Sequence, residues 1–268
     1  MSSACSSFLV LLTVFLGSCT FTSVAPPLEV RQTLAPTGAL RVGLNLRRSF
    51  LVKRDAGTGV ATGMAVDLSQ LLAERLSVRF EPVFFSDIGP LVDAARAGVW
   101  DIAFIGVDPA RANVMDFTAP YVEVDNTYLV PINSSIRTVA DADRSGVRIG
   151  VGLTNGTGLY LSRTIKRAQL VNVGDAANAI ELLSAGKADI YASSRDSLLR
   201  VQENLSGYRV LDDGFDPVDH AIALPRGREN GLAYVKSFIE EVKASGVVAA
   251  AIARYSLRGI KVAPGATH

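Results

Sequence analysis

Cysteine is nearly missing from this chain. Of its 268 residues only two are Cys, Cys5 and Cys19, and both precede the first charged residue, Glu29. The folded part therefore has no disulfide framework, and its stability must come from apolar burial. Histidine is as scarce, since His268 is the last residue and His220 the only internal one. A zinc or copper centre built from His and Cys is excluded on ligand count, and no cofactor is indicated. An excess of one charge is lacking too, with 27 Lys and Arg against 26 Asp and Glu. With no positive surplus to displace counterions from a phosphate backbone, nucleic acid is not an expected partner. What remains for chemistry is carboxylate, hydroxyl, arginine and backbone.

Long hydrophobic runs are also lacking. The longest is the nine-residue stretch Phe8–Leu16, too short for the ~30 Å of a bilayer core but suited to the apolar centre of a signal peptide. Export is therefore expected, although no Lys or Arg precedes the run. Its end, Leu16-Gly17-Ser18-Cys19, resembles the lipobox of bacterial lipoproteins, in which the Cys is lipidated and becomes the new N-terminus. The resemblance implies residues 1–19 as leader, residues 20–36 as tether, and contact with the membrane only through a lipid on Cys19.

Beyond the leader, 49% apolar content gives room for two modest cores. Short apolar runs alternate with amphipathic stretches, the pattern of α/β units around a mainly parallel sheet. Leu40–Leu44 reads as a strand. Asp67–Leu76 puts Leu68, Leu71, Leu72 and Leu76 on one helical face. Residues 78–85 return as a strand, 88–97 as a helix and Trp100–Ile105 as a buried strand. The second half then repeats these phrases: Ala97-Gly-Val-Trp-Asp-Ile102 recurs as Ala185-Gly-Lys-Ala-Asp-Ile190, and Arg41-Val-Gly43 as Arg148-Ile-Gly150. The repetition predicts two similar lobes rather than one large sheet, with each Gly ending a helix. Thr127–Pro131 and Ala221–Pro225 read as crossings between lobes. Leu232, Val235, Phe238, Ile239 and Val242 mark a terminal helix returning to the first lobe. Lobe 1 is expected over 37–129 plus 222–268, and lobe 2 over 130–221. Two lobes with two hinge crossings make a clamshell that holds its ligand between them.

Six phrases in order make the chain resemble bacterial extracellular solute-binding proteins of the amino-acid type, family 3, the ligand-capturing component of ABC importers, built on the type II periplasmic-binding-protein fold. They are Leu40–Gly43, Gly63-Met-Ala-Val-Asp-Leu68, Ala97–Ile102, Arg111 with Asp116-Phe-Thr-Ala-Pro-Tyr121, Val147–Val151 and Gly186–Asp189. The resemblance covers residues 37–258. It implies a periplasmic or extracytoplasmic, monomeric protein that hands a small anionic or zwitterionic ligand to an ABC permease in the inner membrane.

The same resemblance implies the site. An Arg shortly before the Phe-Thr-x-Pro-Tyr phrase grips the ligand carboxylate, here Arg111, and a planar guanidinium suits that task because it donates two parallel hydrogen bonds. A small polar turn at a helix N-terminus in lobe 2 falls on Thr154, Asn155, Gly156 and Thr157, where free N–H groups favour an anion. Phe50 and Met64 take the aromatic-wall positions, with Arg47 and Arg48 nearby. Phe104-Ile105-Gly106-Val107 stands where Ser or Thr is usual, so Ile105 and Gly106 make the lobe 1 pocket less polar. The Asp that normally holds an α-ammonium is replaced by Ser194, beside Arg195. This substitution makes a carboxylate without an amino group a candidate ligand, while Asp108, Glu123 and Asp196 remain candidate counter-charges for an amino acid.

Two alternatives stay open. The clamshell also resembles cyclohexadienyl dehydratases, which work by acid–base elimination, and the domain attached to some lytic transglycosylases. Such chemistry needs two converging ionisable groups, and Asp108 and Glu123 are the lobe 1 candidates. The fold also serves as a ligand-sensing domain that could report to a separate receptor.

Overall fold

The computed structural model describes residues 26–46, 50–153, 155–174 and 176–265. The leader with Cys19, and also Arg47, Arg48 and Thr154, lie outside the described residues. The first half of the chain runs α1 (Leu28–Leu34), β1 (Ala39–Asn45), β2 (Lys53–Arg54), β3 (Ala61–Thr62), α2 (Met64–Leu76), β4 (Arg79–Phe85), α3 (Ile88–Arg96), β5 (Ile102–Gly106), β6 (Met115–Phe117) and β7 (Val122–Pro131). It continues through β8 (Arg148–Val151), α4 (Gly156–Thr164), β9 (Gln169–Asn172), α5 (Ala176–Ser184), β10 (Ile190–Ser194) and α6 (Arg195–Glu203). Last come β11 (Tyr208–Val210), β12 (Phe215–Pro225), α7 (Glu229–Ala244), α8 (Val247–Arg254) and β13 (Ile260–Val262).

The strand order β4-β1-β5-β12-β7-β10-β8-β9 reads the same from either end. In lobe 1, β1 lies parallel between β4 and β5; in lobe 2, β8 lies parallel between β9 and β10. Each parallel trio is closed by one antiparallel strand, β12 on β5 and β7 on β10. The two-lobed α/β architecture read from the repeated phrases is present, with one correction: β12 also pairs with β7, so the ladder is continuous and the lobes share one curled sheet. Both predicted crossings lie inside these long strands. Leu129 pairs with Tyr191 within lobe 2 and Ala223 with Ala103 within lobe 1. The two strands pair with each other at Val122–Asn126 and Phe215–His220, so the change of lobe falls just before each predicted passage.

The sequence explains the elements. Leu68, Leu72 and Leu76 of α2 are fully buried, and the helix stops at Ser77, which is left-handed at φ 53°. It cannot be entered except through Gly63, at φ 133°, where a Cβ would stand 2.4 Å from the Leu51 carbonyl oxygen. Trp100 ends in the turn before β5, buried, with its indole N–H on the Leu91 carbonyl at 2.9 Å. Gly98 and Gly186 close the chain after α3 and α5, both at φ 62° in open space; conformation and not crowding selects glycine there.

Each lobe has apolar side chains on both faces of its sheet. In lobe 1, Val42, Leu44, Phe104 and Ile222 pack with α2, α7 and α8, while Ala103, Ile105 and Trp100 pack with α3. In lobe 2, Ile149, Val151 and Ile190 pack with Leu161 of α4, while Leu129 and Tyr191 pack with Leu183, Leu198 and Val201 of α5 and α6. Alternation along each strand produces this division. Val235, Phe238, Ile239 and Val242 of α7 join the lobe 1 core, with Leu232 partly buried beside them. Among the described residues no helix is long and apolar enough to cross a membrane.

Candidate functional site

In sheets of this kind ligands gather at the carboxyl ends of the strands. In lobe 1 these ends are Asn45 and Gly106, and in lobe 2 Val151 and Ser194. The residues expected to bind ligand are distributed unevenly about them.

Arg111 is half-buried in a 3₁₀ turn just beyond β5. The turn is set by Asp108, whose carboxylate accepts the Ala110 N–H at 2.8 Å and whose carbonyl accepts the Arg111 N–H at 3.0 Å. The short connection folds Arg111 back, so that Nη1 donates to the Gly106 carbonyl at 2.6 Å. A Cβ on Gly106 would lie 3.6 Å from that nitrogen, 3.7 Å from His220 Nε2 and 3.3 Å from Val218 Cγ1. The guanidinium is thus held at a strand end beside a residue without a side chain. His220, which the sequence offered only as evidence against a metal, is 2% exposed and meets the edge of Phe50 with ring centroids 5.1 Å apart.

Phe50, Met64 and Ile105 are at most 3% exposed and belong to the lobe 1 cores. Of the two residues at the aromatic-wall positions, Phe50 is tucked against His220, and Met64 is the first residue of α2, buried beneath it.

In lobe 2, Asn155 caps α4, its side-chain oxygen accepting the Gly158 N–H at 3.0 Å. The turn closes tightly, because a Cβ on Gly158 would lie 2.1 Å from the Gly152 carbonyl oxygen. Gly156 opens the helix, and Thr157, buried, donates from Oγ1 to Asn126 Oδ1 at 2.8 Å. Ser194 is buried at the end of β10, its hydroxyl 3.1 Å from that of Ser197.

Arg195, a candidate ligand-site residue beside Ser194, opens α6. Its guanidinium donates to the carbonyls of Leu211, Asp212 and Asp213 and lies 3.7 Å from the Asp125 carboxylate. With donors spent on backbone at the crossing, Arg195 is a structural staple, and Gly259 packs against its methylenes. Asp196 is also committed, pairing with Arg200 at 2.9 Å, while its Oδ1 is buried without a partner among the described residues. Glu123 lies on β7 across from Asp219 and Lys261, whereas Asp108 is occupied by its own turn. Two hollows of about 380 and 450 Å³ open elsewhere, one beside Ile136, Val147 and Ile190 and the other between α3 and the Arg111 turn. No cluster of metal-ligating side chains occurs among the described residues.

Two lobes of matching topology, joined by two strands and carrying polar groups at their strand ends, define a type II periplasmic binding protein. The chain belongs to the bacterial extracellular solute-binding proteins, family 3, which it matches over residues 40–258. It is 25% identical over 203 residues to the amino-acid-binding protein AabA of Dichelobacter nodosus, covering 71% of this chain and 77% of AabA. Among solved structures it is similar to a putative binding component of an ABC transporter from Wolinella succinogenes complexed with lysine, at TM-score 0.69 and 21% identity over 81% of this chain and 95% of that one. It is also similar to the ancestral amino acid-binding protein AncCDT-1, a precursor of cyclohexadienyl dehydratase, at TM-score 0.67 and 21% identity over 84% and 98%.

Proposed function

We propose that this protein is an extracytoplasmic substrate-binding component of an ABC transporter that closes on a small amino acid or other carboxylate and presents it to an inner-membrane permease. One observation carries the ligand class. Arg111 is held at the end of β5, and the α4 N-terminus stands after β8, so a guanidinium and a helix N-terminus are offered from different lobes, both suited to an anion. Gly106, Asn155, Thr157 and Ser194 complete the binding set, with Arg48 and Thr154 joining from outside the described residues. The lobes divide where β7 and β12 pair, at Val122–Asn126 and Phe215–His220, a few residues before the 129/130 and 221/222 boundaries read from the sequence, and the protein acts as a monomer tethered through a lipid on Cys19. Binding without turnover fits the two acid–base candidates being held apart from each other's task, Asp108 by its own turn and Glu123 on β7 across from Asp219 and Lys261.

The test is a melting-temperature panel of amino acids, non-amino carboxylates, sugars and polyamines. A ligand at ~100 times its dissociation constant stabilises by roughly 2.7 kcal/mol, or about 5–11 °C at about 2–4 °C per kcal/mol for a chain of this size. Arg111→Ala is expected to weaken a carboxylate by at least about tenfold, since it removes a charged hydrogen-bond partner worth roughly 1.5–3 kcal/mol. Equal shifts with sugars and acids would overturn the ligand class, and conversion of a cyclohexadienyl substrate would overturn the reading as a binder.

A further inference from the structure

The first crossing strand carries a buried polar side chain that ligand capture does not use directly. Asn126, 1% exposed on β7, stands across from Ser194 of β10 on one side and Phe215 of β12 on the other. Its Oδ1 accepts from Thr157 Oγ1 at 2.8 Å, and its Nδ2 donates to the Asp216 carbonyl at 2.7 Å. Both ends of the amide are matched, and a buried amide left half-paired is costly. It therefore fixes three pieces of chain to one another: the first turn of α4, the first crossing and the second crossing.

The surroundings sharpen the point. Asp216 has φ 42° and sits where the β12–β7 register breaks, between Phe215 and Val218. On the opposite face of β7 the neighbouring Asp125 holds Lys261 at 2.8 Å and faces Arg195 at 3.7 Å, which in turn grips the carbonyls of residues 211–213. Asn126 on one face and Arg195 on the other thus fasten the two crossings together on the lobe 2 side, while Lys261 comes from β13, which pairs with Val122–Val124 of β7. Toward lobe 1 the next cross-strand pair, Val124 and Val218, is apolar and joined through backbone pairing.

We propose that Asn126 is a positioning residue for ligand capture: it makes the α4 N-terminus and both crossings one rigid body, and so confines inter-lobe bending to its lobe 1 side, at Asp216–Val218 and the β7 residues opposite. The purpose assigned to it rests on the binding reading above, because a fixed α4 turn matters only if that turn meets a ligand.

The experiment is amide hydrogen exchange on the full chain, with isothermal titration alongside. Thr157→Val removes only the hydroxyl, Asn126→Asp keeps the acceptor but loses the donor to Asp216, and Thr157→Ser keeps both bonds. We expect the first two to raise exchange about tenfold in residues 155–161 and 213–218 together, with β8 and β10 unchanged, and Thr157→Ser, which keeps the hydroxyl, to leave exchange in both segments at the wild-type level. A rise confined to 155–161 would reduce the pair to a local cap and overturn the proposal. If Thr157→Val does not fold, Asn126→Asp carries the same comparison. The titration probes are L-lysine and pyruvate, and whichever binds wild type is expected to bind about tenfold more weakly to Asn126→Asp, which touches no ligand; unchanged affinity would also overturn the proposal. A wild type that binds neither probe counts against the binding reading, while the exchange coupling is judged without any ligand.

Discussion

The two lobes carry the same ion pair in different surroundings. In lobe 1 Arg41 donates from its backbone N–H and from Nε to one oxygen of Asp101, both at 3.0 Å, and from Nη2 to the other at 2.7 Å. In lobe 2 Arg148 meets Asp189 in the same three ways, at 2.7, 3.1 and 2.7 Å. Each pair joins the start of a central strand to the start of its neighbour. Yet the Asp101 side chain is fully buried, whereas that of Asp189 is 38% exposed. The difference is made by chain that arrives much later: Arg228, just before α7, reaches Asp101 at 3.0 Å and also the Thr33 carbonyl of α1. One local phrase thus gives one local geometry, and what lies over it decides its energetic weight.

The contrast can be broken from its stronger side. Asp101→Ala leaves Arg41 and Arg228 facing each other without their shared anion and is expected to destabilise by about 3–5 kcal/mol, read from urea denaturation. Arg228→Ala reduces the lobe 1 arrangement to the lobe 2 one and is expected to cost roughly 1.5–3 kcal/mol, as for a charged hydrogen bond. Asp189→Ala, at an exposed pair, is expected to cost no more than about 1 kcal/mol, and a loss as large as that of Asp101→Ala would erase the distinction.

Acid sharpens the comparison in the other direction. The Arg148 hydrogen bond holds the Asp189 carboxyl below its ordinary value. The backbone N–H groups of Arg137 and Thr138 hold Asp141 at about 2, and that of Ala168 leads in lowering Asp143. Because these folded-state values lie below the unfolded ones, their stabilisation is present above the ordinary aspartate range near 3.8 and is lost as pH falls toward about 2. Lobe 2 segments are therefore expected to lose exchange protection over that interval, and Asp141→Asn should flatten the dependence slightly; an unchanged slope would count against the assignment.

Much of the fold could be read in the sequence because it is written in short repeats. The leucines of α2, the Gly and Asp closing phrases and the apolar face of α7 act locally, so spacing alone finds them. The shared sheet could not be read, because nothing in Val122–Asn126 announces that it pairs with Phe215–His220. Site residues divide on the same ground. Arg111 follows from a phrase next to it in sequence. The bonds of Arg195 could not be read, because its acceptors are backbone carbonyls, which carry no residue signature, and Asn126 is one polar residue in an extended run. The depth of Phe50 and Met64 could not be read, because a motif position says nothing of how closely the neighbouring chain is packed.

The placing of β12 also bears on how the chain is made. Strands β7 to β10 pair within residues 126–194, so the inserted lobe can assemble as soon as it has been synthesised or translocated. Strand β5 waits for a neighbour more than a hundred residues further on, and β6 waits for the same strand. Contacts so distant along the chain close slowly, and a half-finished lobe with an unpaired β5 edge is prone to aggregation. The first lobe to begin is the last to be completed, and the time between is when a holding chaperone would find its substrate.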